Sequence, residues 1–252
     1  MPPGSGWLSA ALAVPVRHQD AALRQLAAPP AAARLYWLRY RTPALGPQLR
    51  LRYCGPPDAL REIRHMLLRW GSGLAEQGLS DGHLHYEPYI RETPRYGGPG
   101  AVDAAEDVFA ADSALALTVL VTETQEGAEP HRLPLAAICA VAVARALTAP
   151  GAVPEVVRGS VRGGPLTRAE RHERDRLRTA ARSHRLPSWL TEAWSVRQKA
   201  LAAYGDVLPD PDIAGRCASD LVHLSCNRLL GADAGLERVA RSLATDLLYA
   251  HD

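Results

Sequence analysis

The sequence predicts an α+β chain. A ferredoxin-like antiparallel sheet layer in the order β-α-β-β-α-β occupies residues 1–100, and a mainly helical part occupies residues 101–252. Three observations lead there. QLRLRY at residues 48–53 alternates apolar and basic residues with period two, and it follows LYWLRYR at 35–41 and a TPALGP turn, which together signal a hairpin. Pro57 then opens a stretch whose apolar residues Leu60, Ile63, Leu67 and Leu68 recur every three or four positions, the spacing of one buried helix face. From Ala101 onward the periodicity is helical.

Taken in order, residues 7–14 form a short apolar stretch that supplies the first strand. Residues 18–28 carry Leu23 and Leu26 at helical spacing and stop at Pro29-Pro30, because proline cannot donate to a helix interior. The hairpin at 35–53 and the helix at 57–71 follow, and HLHYEPY at 83–89 reads as the fourth strand. Helices are predicted over 102–122 and 132–147, with a Gly/Pro/Val loop between 150 and 165. Residues 167–183 are dense in opposite charges two to four apart, the pattern of a solvated helix. Further helices are predicted at 188–204, 211–230 and 234–249. The second of these starts at Asp210, Pro211 and Asp212 and is ended by Gly231. The whole is read as a single domain, with no internal repeat.

Composition excludes several classes. At 47% hydrophobic and 22% charged residues the chain buries too much to be disordered, and 252 residues suffice for a full core. A net charge of +2, from 29 basic and 27 acidic residues, lacks the basic excess of a nucleic-acid surface. Almost all the cations are arginine, Lys199 being the single lysine. Cys54, Cys139, Cys217 and Cys226 include no CxxC pair, so neither a zinc nor a redox motif is supported, and the low count fits a reducing compartment. The N-terminus lacks the charged and apolar regions of a signal peptide, and the apolar run at 133–148 is short and broken by Arg145. A cytoplasmic protein without membrane or nucleic-acid partners is expected.

Three groups of residues bear chemistry. Arg50 and Arg52 stand two apart on a strand and share one face. They form either a solvated pair or an anion clamp, since guanidinium grips carboxylates with two bonds. Tyr86, Glu87, Pro88 and Tyr89 lead to Arg95-Tyr96-Gly97-Gly98-Pro99 between a strand and a helix, where functional loops collect. On the helix at 211–230, Ser219, His223, Cys226 and Asn227 fall on one face, which opens a cleft-lining role for His223 beside the ordinary one of a satisfied helical histidine. No GxGxxG, P-loop, nucleophile elbow or metal-binding His/Glu spacing is present.

Four ordered blocks carry a resemblance: WLSAAL, YWLRYRTPALGPQLRLR, YEPYIRETPRYGGPGAVDAAEDVFAADS and SDLVHLSCNRLLGAD. Together they resemble the C-terminal, elimination domain of the lantibiotic dehydratases, a family also called thiopeptide-type bacteriocin biosynthesis proteins. The resemblance extends over nearly the whole chain, and a free-standing small member without a glutamylation domain is expected. It implies work on a ribosomally made precursor peptide with its leader, alongside other enzymes of the same pathway, and no metal or redox cofactor. One implied chemistry removes glutamate from glutamyl-Ser/Thr to leave dehydroamino acids. The other joins two dehydroalanines in a formal [4+2] cycloaddition, with loss of water and leader peptide, to form a pyridine macrocycle.

By that resemblance Arg50 or Arg52, together with Arg95, matches the arginines that hold the departing glutamate, and His223 matches the helical histidine before the Asn-Arg pair. Asn227 belongs to that pair and joins them as a substrate-binding candidate. The acidic residue expected just before RYGG is displaced, with Tyr89 or Glu87 at its position. That displacement, and the compactness of the chain, put the pyridine synthase first. The hydroxyls of Tyr89, Tyr96, Ser219 and Ser225 are then the groups that polarise amides and shuttle protons beside His223. Elimination comes second, and a non-catalytic protein that binds a leader on its sheet edge comes third.

Overall fold

The computed structural model describes residues 4–123, 132–159, 164–183 and 186–249. They form two compact units. One comprises residues 1–91 and 109–124, the other residues 92–108 and 125–252. The first unit thus ends at residue 91 and takes back part of a later helix, where the sequence places the boundary near 100.

In the sheet unit, β1 (Gly6–Ala13), α1 (Gln19–Arg24), β2 (Arg34–Thr42), β3 (Gly46–Gly55), α2 (Pro57–Glu76) and β4 (Leu84–Tyr86) follow in the expected order. The strands lie in the order β2-β3-β1-β4, and all three pairings are antiparallel. The register explains the alternation in the sequence. Leu12 faces Leu49 and Ala10 faces Leu51, which faces Trp37; all five are buried. The intervening residues, Ser9, Arg52 and Tyr36, form a row on the opposite face. Helix α2 covers the apolar face through Ala59, Ile63, Leu67, Trp70 and Leu74, and the Trp70 indole donates to the Ala22 carbonyl of α1 at 3.0 Å. Arg39, buried on β2, is neutralised by Asp20 of α1 at 2.7 Å.

Three elements of this unit differ from expectation. Helix α2 runs past Gly71 to Glu76, because Gly71 lets the backbone come close rather than ending the helix: a Cβ there would stand 2.8 Å from the Gly82 carbonyl. Strand β4 spans only residues 84–86 of the expected 83–89. The bond from Glu87 N to the Ser9 carbonyl is followed by Pro88, which has no N–H to continue the ladder. Helix α1 is shorter than expected and is preceded by a 3-10 turn at Val16–His18.

Helix α3 (Val102–Thr122) starts in the helical unit and finishes in the sheet unit, where it lies along the outer edge of β2. There the Trp37 N–H donates to Ser113 Oγ and the Trp37 indole to the Ser113 carbonyl, both at 3.2 Å. One outward-facing N–H of the edge strand is thereby satisfied.

The helical unit is built around α4 (Arg132–Leu147). Its Leu135, Ala136, Ala137, Cys139, Ala140, Val143 and Ala144 are all buried, as befits a helix that is apolar on every side. Around it pack α5 (Val153–Arg158), α6 (Arg168–Ser183), α7 (Thr191–Val207), α8 (Pro211–Leu230) and α9 (Ala234–Leu248). Helix α5 occupies the expected loop; Pro154 in its first turn and Gly159 at its end, at φ +59°, delimit it. Helix α7 begins at Thr191 after a 3-10 turn rather than at 188. Asp210 caps α8 by accepting from Ile213 N, and Asp233 caps α9 by accepting from Gly235 N and Leu236 N. Helix α6 buries only Ala181, in keeping with a solvated helix, and Glu170 ties it to Arg238 of α9. The four cysteines are buried and form no disulfide among the described residues, and among those residues no helix is long and apolar enough to cross a membrane.

Ser113→Ala removes the acceptor of the Trp37 N–H in a fully buried position. Urea unfolding is expected to show a loss of about 1–3 kcal/mol, the cost of stranding a buried donor. An unchanged midpoint would show that the edge of β2 does not depend on this bond.

Candidate active-site residues

The sheet unit gathers one set of candidates. Arg50 and Arg52 project from the face opposite α2. The Arg52 guanidinium lies 4.8 Å from the Tyr89 ring centroid and 5.5 Å from that of Tyr36, and Arg50 lies 4.0 Å above Tyr40. Trp7 packs on Tyr89 at 4.4 Å and on Tyr36 at 5.8 Å, and Phe109 of α3 closes on Tyr36 at 5.3 Å. The Glu87 carboxylate stands 4.0 Å from Arg50 Nε. The Nε atoms of Arg50 and Arg52 and the Trp7 indole nitrogen are buried with no hydrogen-bond acceptor among the described residues. Three groups that can only donate, cradled by aromatic rings, suit a carboxylate or carbonyl oxygen.

The helical unit gathers the second set on the Arg95-Tyr96-Gly97-Gly98 turn and on α8. Gly97 and Gly98 have φ of +88° and +87°, and a Cβ on Gly97 would come within 2.9 Å of Ala101 Cβ. The turn is pinned through its backbone: the Tyr204 hydroxyl donates to the Tyr96 carbonyl at 3.2 Å and the Cys217 thiol to the Arg95 carbonyl at 3.5 Å. Burial pushes the Tyr96 phenol and the Cys217 thiol above their ordinary pKa values, so both stay protonated. Arg95 makes a fork to Asp220 of α8, Nε to Oδ2 at 2.7 Å and Nη2 to Oδ1 at 2.9 Å, and Nη1 donates to Glu92 at 2.8 Å. Of its five N–H groups, one on each terminal nitrogen stays available.

One helical turn beyond Asp220 stands His223, its side chain 56% exposed. Its Nδ1 is 2.8 Å from Glu237 Oε2 of α9, and Glu237 Oε1 accepts from Arg241 Nε at 2.9 Å. Burial raises the Glu237 carboxyl, but the hydrogen bond and charge of His223 and the charge of Arg241 outweigh it, and the group lies below its ordinary value.

The expected common face of α8 is divided. His223 is exposed and Ser219 half-buried, but Ser225, Cys226 and Asn227 are buried, because residues 225–229 are enclosed on all sides. Tyr96 is buried at the turn, and Tyr89 and Glu87 belong to the sheet unit. Arg95 carries two carboxylates, Asp220 and Glu92, and the sequence expectations omit Glu92 although it stands three residues ahead of the arginine. Asp220, Glu237 and Arg241 were also passed over. The Glu237–Arg241 spacing of four was a visible signal, whereas the reach of Asp220 to Arg95 and of Glu237 to His223 was not.

A sheet layer bearing an arginine-aromatic face and a helical unit bearing a pinned arginine turn and a histidine helix place the chain in the α+β class. The family described as lantibiotic biosynthesis dehydratase C-term matches residues 7–249, and the chain belongs to that family. The subtilin biosynthesis protein SpaB of Bacillus subtilis is 26% identical over 235 residues, which are 86% of this chain and 22% of SpaB. The crystal structure of the tRNA-dependent lantibiotic dehydratase MibB from Microbispora sp. 107891 shares the fold with a TM-score of 0.77 and 24% identity, over all of this chain and 28% of MibB. TsrL aligns with a TM-score of 0.56 and 16% identity, over 97% of this chain and 98% of TsrL. The chain therefore spans about a fifth of SpaB and just over a quarter of MibB.

The lowered Glu237 carboxyl contributes stability that is fully present above its ordinary value of 4.5 and lost as pH falls through the lower folded value. Glu170 and Glu173 are lowered as well and add to any acid sensitivity. Urea midpoints measured downward from pH 6 are expected to fall less steeply in Glu237→Gln than in the wild type. Parallel curves would show that the pairing adds no pH-dependent stability.

Proposed function

We propose that the chain removes glutamate from glutamyl-serine and glutamyl-threonine residues of a precursor peptide, leaving dehydroalanine or dehydrobutyrine. The observation that carries this reading is the Glu92 carboxylate on Arg95. A displaced carboxylate was one of the two reasons to prefer cyclisation, and Glu92 at the turn removes it. The family description and the name of MibB point the same way. Cyclisation ranks second: of the hydroxyls it needs, Ser225 is buried in α8 and Tyr89 is packed against Trp7 and Arg52. Leader binding without catalysis leaves the Glu237–His223 pairing without a task.

In the proposed mechanism His223 takes the α-proton of the glutamylated residue on Nε2. The C–H electron pair forms the Cα=Cβ bond, the Cβ–O bond breaks, and its pair leaves on the glutamate carboxylate. An α-proton beside an amide is a weak acid, so the step needs both a base and a donor to the amide oxygen as charge develops. Arg95 is the proposed donor, through the two N–H groups that Asp220 and Glu92 leave available. Asp220 and Glu92 together outweigh its charge, so Arg95 is suited to polarise a carbonyl rather than to attract an anion. Arg50 and Arg52, with their buried donors, are a separate carboxylate-binding candidate within the sheet unit.

The test supplies purified protein with a peptide bearing glutamyl-serine and follows loss of glutamic acid by mass. Wild-type protein is expected to yield the dehydrated peptide, and Arg95→Ala and His223→Ala are expected to slow the loss by about 100-fold or more. If the glutamylated peptide is returned unchanged while a fully dehydrated peptide becomes a pyridine macrocycle with release of its leader, cyclisation is the activity.

A further inference from the structure

We propose that Glu237 is a positioning residue that sets the tautomer of His223, and that Arg241 fixes Glu237 in turn. The inference rests on the reading of His223 as the base and names the groups that make it one.

An ionised carboxylate only accepts hydrogen bonds. The 2.8 Å contact between His223 Nδ1 and Glu237 Oε2 therefore places the ring proton on Nδ1 and leaves the Nε2 lone pair on the open side. The second oxygen of Glu237 is held by Arg241 Nε. Arg241 is 5% exposed and anchored on two further elements: Nη1 donates to the Val156 and Val157 carbonyls at the end of α5 at 3.3 and 3.2 Å, and Nη2 donates to the Ser219 carbonyl on α8 at 3.4 Å. Gly159 makes room for this guanidinium: a Cβ there would lie 2.6 Å from Nη1.

An acidic residue in the first turn of α9 is favourable for the helix dipole wherever it points. That role explains the charge of Glu237 but not its seat between His223 and a buried arginine. When Nε2 takes a proton, the imidazolium forms against the Glu237 carboxylate, which stabilises it without moving.

Glu237→Gln separates position from charge. Arg241 can only donate, so the new amide must turn its oxygen to Arg241 and its NH2 to His223 Nδ1. Nδ1 must then accept, and the ring proton moves to Nε2, where it blocks the base. Nitrogen NMR of histidine-labelled protein at alkaline pH reads the tautomer directly; the His223 signals are assigned by their loss in His223→Asn. The wild type is expected to carry the proton on Nδ1 and Glu237→Gln on Nε2, with kcat for glutamate elimination down by about 100-fold or more and KM little changed. Glu237→Asp, which keeps a carboxylate, is expected to retain the wild-type tautomer and to regain most of the rate, and it serves as well should Glu237→Gln fold poorly. A wild-type proton on Nε2, or a Glu237→Gln protein with unchanged tautomer or unchanged kcat, overturns the proposal. If wild-type protein leaves glutamylated peptide intact, the elimination reading falls, while the NMR measurement still decides whether Glu237 sets the tautomer.

Discussion

Asp220 accepts two hydrogen bonds from Arg95 across 125 residues of sequence, and much of the helical unit's chemistry depends on that fork. It ties a glycine turn to a helix and fixes the plane of a guanidinium that would otherwise be a mobile surface group. A bidentate arginine-carboxylate pair constrains orientation as well as distance, which a single ion pair does not. Tyr204 and Cys217 hold the backbone of the same turn from α7 and α8, so both ends of Arg95 are determined. One turn further along α8 stands His223, and its own alignment passes through Glu237 and Arg241 to α5 and α9. Four helices thus hold two side chains.

The sheet unit is organised by the opposite circumstance. Its arginine-aromatic face carries buried donors without acceptors among the described residues, an arrangement that costs stability in the free protein. The rings of Tyr36, Tyr40 and Tyr89 offset part of that cost by stacking on the guanidinium groups.

Much of the fold was legible because each signal is local. The alternation in QLRLRY, the spacing of Ile63 and Leu67, and the caps Asp210 and Asp233 each depend on a few neighbouring residues. Differences arose where a distant partner altered the outcome. Gly71 reads as a helix stop until Gly82 is seen against it, and residues 153–158 read as loop until Arg241 is seen capping their carbonyls.

The sequence by itself determined the family blocks, the period-two face that carries Arg50 and Arg52, and the helical placement of His223, because these follow from residue spacing along one element. Only the tertiary structure decided which charges meet. It gave Arg95 to Asp220 and Glu92, gave His223 to Glu237, and sealed Ser225, Cys226 and Asn227 in the interior while leaving His223 in the open. The physical reason is that periodicity fixes the direction of a side chain around its own helix, whereas its partner and its burial depend on which helices pack beside it, and those contacts join residues far apart in the chain.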